Sequence, residues 1–206
     1  MNYANTTTRF GLIRHAETVW NRERRIQGHQ DSPLTPEGEI MADAWGRMLG
    51  AFHWDRIVSS DTGRAVATAV RINAFLNLPI DSHPGLRELD WGRWTTRTVA
   101  QLREEEGKLV VAQERAGWDF QPPGGESRRR QLERSRQVLL EAACQWPGHS
   151  ILVVTHEGVI KSLAHFLAGT VPQAAAGVGV RPYRLHWISV ADGRLSLDGL
   201  NALALA

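Results

Sequence analysis

Four side chains of two kinds give this sequence its chemistry. Arg14 and His15 follow the short apolar segment Arg9–Ile13, Ser60–Arg64 follows Arg56–Ser59, and His156 follows Ser150–Thr155. Two guanidiniums, Arg14 and Arg64, can clamp a phosphoryl group by bidentate, charge-assisted hydrogen bonds. A neutral imidazole can attack phosphorus near neutral pH without a strong base beside it. A second imidazole, if protonated, can stabilise charge on the equatorial oxygens of the transition state. Phosphoryl transfer asks mainly for such positioning and electrostatic support.

These residues must be brought together by the elements around them. Arg9–Ile13, Arg56–Ser59 and Ser150–Thr155 read as short buried strands, the last being the clearest. Thr35 can cap and Pro36 can open a helix running to about Gly50, with Ile40, Ala44 and Met48 on its apolar face. A second helix runs from about Thr62 to Asn77 and stops before Pro79. Pro84–Trp94 reads as loop, Thr98–Glu106 as a polar helix, and Pro122-Pro123-Gly124-Gly125 as a break. A long amphipathic helix then covers Glu126–Trp146, and another follows the third strand over Glu157–Leu167. Tyr183–Val190, the turn Ala191-Asp192-Gly193 and Arg194–Leu197 read as a closing hairpin. Alternating strands and helices predict an α/β sandwich with a largely parallel sheet. Ligands sit beyond the carboxyl ends of such strands, which is where Arg14, His15, Arg64 and His156 fall.

The bulk properties narrow the classes. A chain of 206 residues fits one domain, residues 1–206, and 42% hydrophobic residues is too apolar for disorder. The net charge of +2 does not make the whole molecule a polyanion binder. Lys108 and Lys161 are the only lysines, so the positive charge is nearly all arginine. The single cysteine, Cys144, excludes an internal disulfide and any cysteine-based zinc site. Met1–Thr8 is polar, with no apolar stretch of signal type, and no apolar run approaches a membrane-spanning length. A cytoplasmic protein with no membrane partner is expected. The eight tryptophans are not interleaved with basic residues, so no nucleic-acid platform is expected either.

Other signals have plainer readings. His156-Glu157 lacks the second histidine of a zincin helix, because position 160 is Ile160; no metal site and no cofactor are expected. Arg22, Arg24 and Arg25 could steer an anion or belong to a solvated loop. Arg128-Arg129-Arg130 opens a predicted helix, where cations oppose the helix dipole. This hints at an anionic partner, beside the plainer reading of an exposed face. A closing hairpin offers an edge for a homodimer.

Leu12-Ile13-Arg14-His15-Ala16-Glu17-Thr18, followed by Asn21, resembles the Arg-His-Gly signature of the histidine phosphatase superfamily. Further stretches match in the family's order. They are Arg25-Ile26-Gln27-Gly28, Asp31-Ser32-Pro33-Leu34-Thr35, and Ser59-Ser60-Asp61 with Arg64-Ala65 and Thr68-Ala69. Leu86-Arg87-Glu88-Leu89-Asp90-Trp91-Gly92, Pro123-Gly124-Gly125-Glu126-Ser127 and Val154-Thr155-His156-Glu157-Gly158 complete the set. The resemblance covers residues 9 to about 160. It implies a three-layer sandwich with a mainly parallel, mixed central sheet of phosphoglycerate mutase type.

The same resemblance implies a metal-independent phosphatase. His15 would form a phosphohistidine, Arg14, Asn21, Arg64 and His156 would bind the phosphoryl oxygens, and Glu88 would donate a proton to the leaving group. Gln27 and Gly28 are candidate substrate contacts. Glu17, Asp90 and Glu126 lie near the same motifs and are alternative carboxylates to Glu88. Ala16 stands where founding members carry Gly, and Trp94-Thr95-Thr96 where the phosphatase branch often has Trp-Glu-Gly. By motif the chain is similar to the α-ribazole phosphatase type, so hydrolysis of a small phosphorylated metabolite is expected. A cofactor-dependent phosphoglycerate mutase shares the core chemistry. Mutases carry extra basic, proline-rich sequence between the Glu and the second His, and Thr95–Gly125 is short with few basic residues. An inactive phosphate-binding module would be expected to have lost His15 or Glu88, and both are present.

Overall fold

The computed structural model describes residues 6–172 and 177–205; the first five residues of the polar N-terminal stretch lie outside them. Six strands form one sheet: β1 Thr8–Arg14, β2 Arg56–Ser59, β3 Ile80–Ser82, β4 Ser150–Thr155, β5 Arg184–Ala191 and β6 Arg194–Ala204. The order across the sheet is β3-β2-β4-β1-β5-β6. The pairs β3·β2, β2·β4 and β4·β1 are parallel, while β5 and β6 complete the sheet antiparallel. The helices are α1 Val19–Arg22, α2 Pro36–Leu49, α3 Gly63–Leu76, α4 Val99–Arg115, α5 Arg128–Gln145 and α6 Glu157–Leu167.

Side chains of a strand point alternately to the two faces, so a strand covered on both sides must be apolar throughout. β4 shows this residue by residue. Ile151 and Val153 pack with α5 and α6, joined by Phe10 and Leu12 of β1. Leu152 and Val154 pack with α2 and α3 on the other face, joined by Ile13 of β1. The three layers are therefore α2 and α3, the sheet, and α5 and α6. A smaller cluster of Leu89, Trp94, Leu102, Val110 and Phe120 ties α4 to the loops beyond the strand ends.

The expected apolar face of α2 is not the buried one. Ile40 is 67% and Met48 38% exposed, whereas Ala42, Trp45 and Leu49 are fully buried. The buried stripe carries two glycines as well as the largest side chain, and those glycines let the helix come close. A Cβ on Gly38 would lie 2.1 Å from the Glu17 carbonyl oxygen, and one on Gly46 would lie 2.4 Å from the Phe75 ring. The rest of the stripe is set by bulk: burying Trp45 outweighs burying Ile40.

The remaining differences are at ends and edges. β3 and α1 are short elements the sequence pattern does not announce, and all of β3 is exposed. The polar helix continues to Arg115, through a non-helical Glu106 (φ −130°, ψ 29°), so the end expected at 106 is a kink. α5 starts at Arg128 because the Ser127 side chain accepts from the Arg130 N–H as its cap, leaving Glu126 in the loop. β6 extends to Ala204 rather than 197, with Leu203 packed under α2 and Leu205 buried beyond it.

Gly38 holds the first turn of α2 against the loop two residues after His15. Gly38→Ala should destabilise the fold by about 1–3 kcal/mol through overpacking, read as a lower melting temperature. An unchanged melting temperature would show that this approach is not tight.

Candidate active site

Three strand ends are locked in register before any side chain is considered. The His15 N–H donates to the Thr155 carbonyl at 2.9 Å, and the Ser60 N–H to the Val154 carbonyl at 2.8 Å. Neighbouring parallel strands β1, β4 and β2 thus deliver Arg14-His15, Thr155-His156 and Ser60–Arg64 to one edge. The His15 and His156 rings meet edge to face with centroids 5.3 Å apart.

The hydrogen bonds assign both tautomers. A carbonyl only accepts, so His15 Nδ1, 2.7 Å from the Ala16 carbonyl, carries the proton. Its Nε2 is left with a lone pair. His156 Nδ1 faces the Arg64 Nη2 donor at 3.3 Å and must accept. Its Nε2 then carries the proton, donated to Ser60 Oγ at 2.9 Å with Thr62 Oγ1 at 3.3 Å. Both imidazoles are neutral. Burial first, and then the Arg14 and Arg64 charges, push the pKa of His15 well below the usual histidine value. His156 is lowered likewise, by burial first and then by Arg64, His15 and Arg14.

Arg64 is 2% exposed. Nη1 donates to the Gln30 carbonyl (2.6 Å) and to Asp31 Oδ1 (2.7 Å), and Nη2 donates to the Gly28 carbonyl (2.7 Å). Asp31 also accepts from the N–H groups of Gly63 (2.6 Å) and Arg64 (3.2 Å), capping α3 from across the loop because Thr62 makes no cap of its own. Arg64 Nε is buried with no hydrogen-bond partner among the described residues. An unmet buried donor beside a cation costs about 1–3 kcal/mol, and an anion would relieve it. Arg14, at the end of β1, donates to Glu157 Oε2 at 2.8 Å. Glu157 Oε1 in turn accepts from Lys161 Nζ at 2.5 Å.

Glu88 lies at the amino end of α6. Its carboxylate accepts from the Leu89 N–H (2.7 Å), Gln131 Nε2 (2.9 Å) and the Gly158 N–H (3.2 Å). Arg134 fixes the loop carrying it, donating to the carbonyls of Gly85 (2.8 Å), Arg87 (2.6 Å) and Glu88 (2.8 Å). The carboxylate partner of Arg134 is Glu126. A Cβ on Gly158 would lie 2.2 Å from Glu88 Oε1, so no larger residue fits with the carboxylate in place.

Of the residues singled out from sequence, Arg14, His15, Arg64 and His156 converge, and Glu88 reaches from its loop to the amino end of α6, the helix that follows His156. Gly28 enters through its carbonyl on Arg64, at φ +54°. Asn21 caps α1 with Thr18 through its side-chain oxygen, which leaves its NH₂ as the remaining donor. Gln27 is buried, donating to Thr18 Oγ1 at 2.7 Å and accepting from Ser32. Glu17 and Glu126 are held by arginines, Arg22 and Arg134, and Asp90 Oδ1 accepts from the Gly92 N–H. Sequence reasoning did not single out Gln131, Arg134 or the Glu157 bridge, since nothing in their spacing marks them. Among the described residues no cluster of His, Cys, Asp and Glu is placed to hold a metal ion, and no helix is long and apolar enough to cross a membrane.

Two neutral imidazoles, a carboxylate and two guanidiniums, one of them with a buried N–H unmet among the described residues, suit a phosphoryl group. The chain matches the histidine phosphatase superfamily (branch 1) over residues 10–203 and belongs to that family. Its relatives narrow this to enzymes of phosphoryl transfer on small phosphorylated compounds, without choosing between phosphatase and mutase. A Salmonella paratyphi C protein named "Probable phosphoglycerate mutase GpmB" is 38% identical over 161 residues, 77% of this chain and 74% of that one. The mycobacterial glucosyl-3-phosphoglycerate phosphatase shares 29% identity at a TM-score of 0.82, covering 96% of this chain and 100% of its own. The α-ribazole phosphatase of Shigella flexneri shares 27% at a TM-score of 0.78, covering 96% and 98%.

The buried imidazoles set an acid limit on the fold. The pKa of His186 is also lowered, to about 4, chiefly by burial. When folded pKa values lie below 6.5, the unfolded chain binds more protons once the pH drops past that point. The stability from these histidines is therefore complete above about pH 6.5 and is lost progressively below it, for His186 as the pH falls through about 4. Melting temperatures should decline across this window by more than the carboxylates alone produce. A His186→Asn variant should show a shallower decline; an identical slope would remove His186 from the account.

Proposed function

We propose that this chain, as one domain over residues 1–206, is a phosphomonoesterase acting on a small phosphorylated metabolite through a phosphohistidine at His15. The observation that carries this reading is His15, proton on Nδ1 and lone pair on Nε2, beside His156, which in turn adjoins an Arg64 whose buried Nε has no partner among the described residues. Arg14, Arg64, His156 and the Asn21 amide bind the phosphoryl oxygens. His15 Nε2 attacks phosphorus, the P–O bond to the leaving group breaks, and Glu88 gives its proton to the departing oxygen. In the second half Glu88 takes a proton from water, the new O–P bond forms, and the N–P bond to His15 breaks. Three donors, the N–H groups of Leu89 and Gly158 and the Gln131 amide, hold the Glu88 carboxyl in place for this role. Burial first, and then the arginine charges, keep His156 neutral; a bound dianion beside it would oppose both and allow it to act as an imidazolium.

Hydrolysis also needs water at the site. The side chains of Arg14, Glu157 and Lys161 are 18%, 26% and 47% exposed, so the bridge at the end of β1 is open to solvent. The mutase reading is favoured by the name of the Salmonella relative, and one experiment separates the two. p-Nitrophenyl phosphate turnover is measured with excess chelator, beside a 2,3-bisphosphoglycerate-dependent mutase assay. We expect chelator-resistant hydrolysis and little mutase activity; the reverse pattern supports the mutase. His15→Ala should abolish both turnover and the acid-labile phosphoenzyme, and retained activity would rule out the mechanism.

Gly158→Ala should push the Glu88 carboxyl out of place. Turnover of alkyl phosphates, poor leaving groups, should fall by roughly tenfold or more beyond the loss on p-nitrophenyl phosphate. Equal losses on both substrates would take Glu88 out of the donor role.

A further inference from the structure

Beyond Glu88 lies a cavity of about 660 Å³, bounded by Glu88 and Trp91, by Arg128 and Gln131 of α5, and by Lys161 and His165 of α6. The volume is in the range that takes a ligand larger than phosphate alone. Glu88, the proposed proton donor, lines this cavity, so an occupant would lie against its carboxylate.

Arg128 is the odd charge in this wall. It is the first residue of α5, where the positive end of the helix opposes a cation; burial lowers its pKa, against the opposing charge of Glu114. Arg129, Arg134 and Arg136 on the same helix each pair with a carboxylate, Asp119, Glu126 and Glu133. Among the described residues Arg128 has no such partner; it donates to the Gly117 carbonyl at 3.3 Å and stacks on Phe120 at 4.1 Å. The carboxylates that share the cavity are already engaged. Glu157 is held by Arg14 and Lys161, Glu114 by Arg103 at 3.1 Å, and Glu88 by its three donors. The stack on Phe120 fixes the guanidinium plane, so little freedom remains to be lost when a ligand binds.

We infer that Arg128 receives an anionic group, a carboxylate or a second phosphate, carried by the alcohol that leaves from phosphorus. The assignment rests on the phosphomonoesterase reading for the position of the phosphate, and it makes the substrate a phosphorylated acid or a bisphosphate of sugar size.

The test compares three ligands on one skeleton: sorbitol 6-phosphate, 6-phosphogluconate and sorbitol 1,6-bisphosphate. Binding is measured by calorimetry on His15→Ala protein, so the readout needs no turnover. At least one charged ligand should bind about tenfold or more tighter than sorbitol 6-phosphate, as a charge-assisted hydrogen bond would give. The arm that gains identifies the anion. Arg128→Gln should cut that preference to below about threefold, and Arg128→Lys should restore part of it. Equal binding of all three ligands overturns the assignment without any change at Arg128, and so does a preference that survives Arg128→Gln. Absence of a phosphoenzyme in the unmodified protein would sink the enzymatic reading instead, while the ratio of the Kd values still decides Arg128.

Discussion

A desolvated guanidinium governs the arrangement of this protein. Arg64 is a permanent charge taken almost wholly out of water, and such a charge persists only when the groups around it are fixed. Asp31 supplies the counter-charge, the Gln30 and Gly28 carbonyls supply acceptors, and the same Asp31 closes the start of α3. One carboxylate therefore sets both a helix end and the side chain that helix carries. His156 is oriented by the same cation, since Arg64 obliges its Nδ1 to accept and sends its proton toward Ser60.

The sheet makes that arrangement affordable. β1, β4 and β2 are held in register by apolar residues on both faces, so their ends cannot drift without opening two cores at once. Backbone hydrogen bonds between the residues just past those ends carry the register into the site. The polar groups are thus mounted on the stiffest part of the molecule. The loop bearing Glu88 has no strand of its own and is held instead by Arg134 through three carbonyls, and by Thr155 Oγ1 donating to the Leu86 carbonyl at 2.8 Å.

Much of this was legible in the sequence because it rests on short-range rules. An apolar run followed by Arg-His or Thr-His marks a strand end, and Thr35-Pro36 marks a helix start, which the Thr35 cap on Gly38 shows. The face of α2 was not legible, because periodicity alone ranks Ile40 and Met48 with Trp45. Only the partner surface, where Gly38 and Gly46 allow contact, decides between them. Gln131 and Arg134 escaped for a different reason. Both reach the 85–88 loop across more than forty residues of chain, with |i−j| of 43 for Gln131 to Glu88 and 49 for Arg134 to Gly85. No local pattern encodes such a partnership. The doubly engaged Glu157 is similar: its neighbour Lys161 lies one helical turn away, but Arg14 is distant in sequence.

That glutamate bears on how an anion enters and leaves. Arg14 does not wait bare for its ligand, since a carboxylate already neutralises it and Lys161 stands ready to keep that carboxylate when it is displaced. On the proposed phosphatase reading, the exchange would be of one oxyanion for another on the same cation, so little new desolvation would accompany either arrival or departure. Such a swap would flatten the energy difference between the empty and the filled cleft, and so would favour rapid release of inorganic phosphate over tight retention.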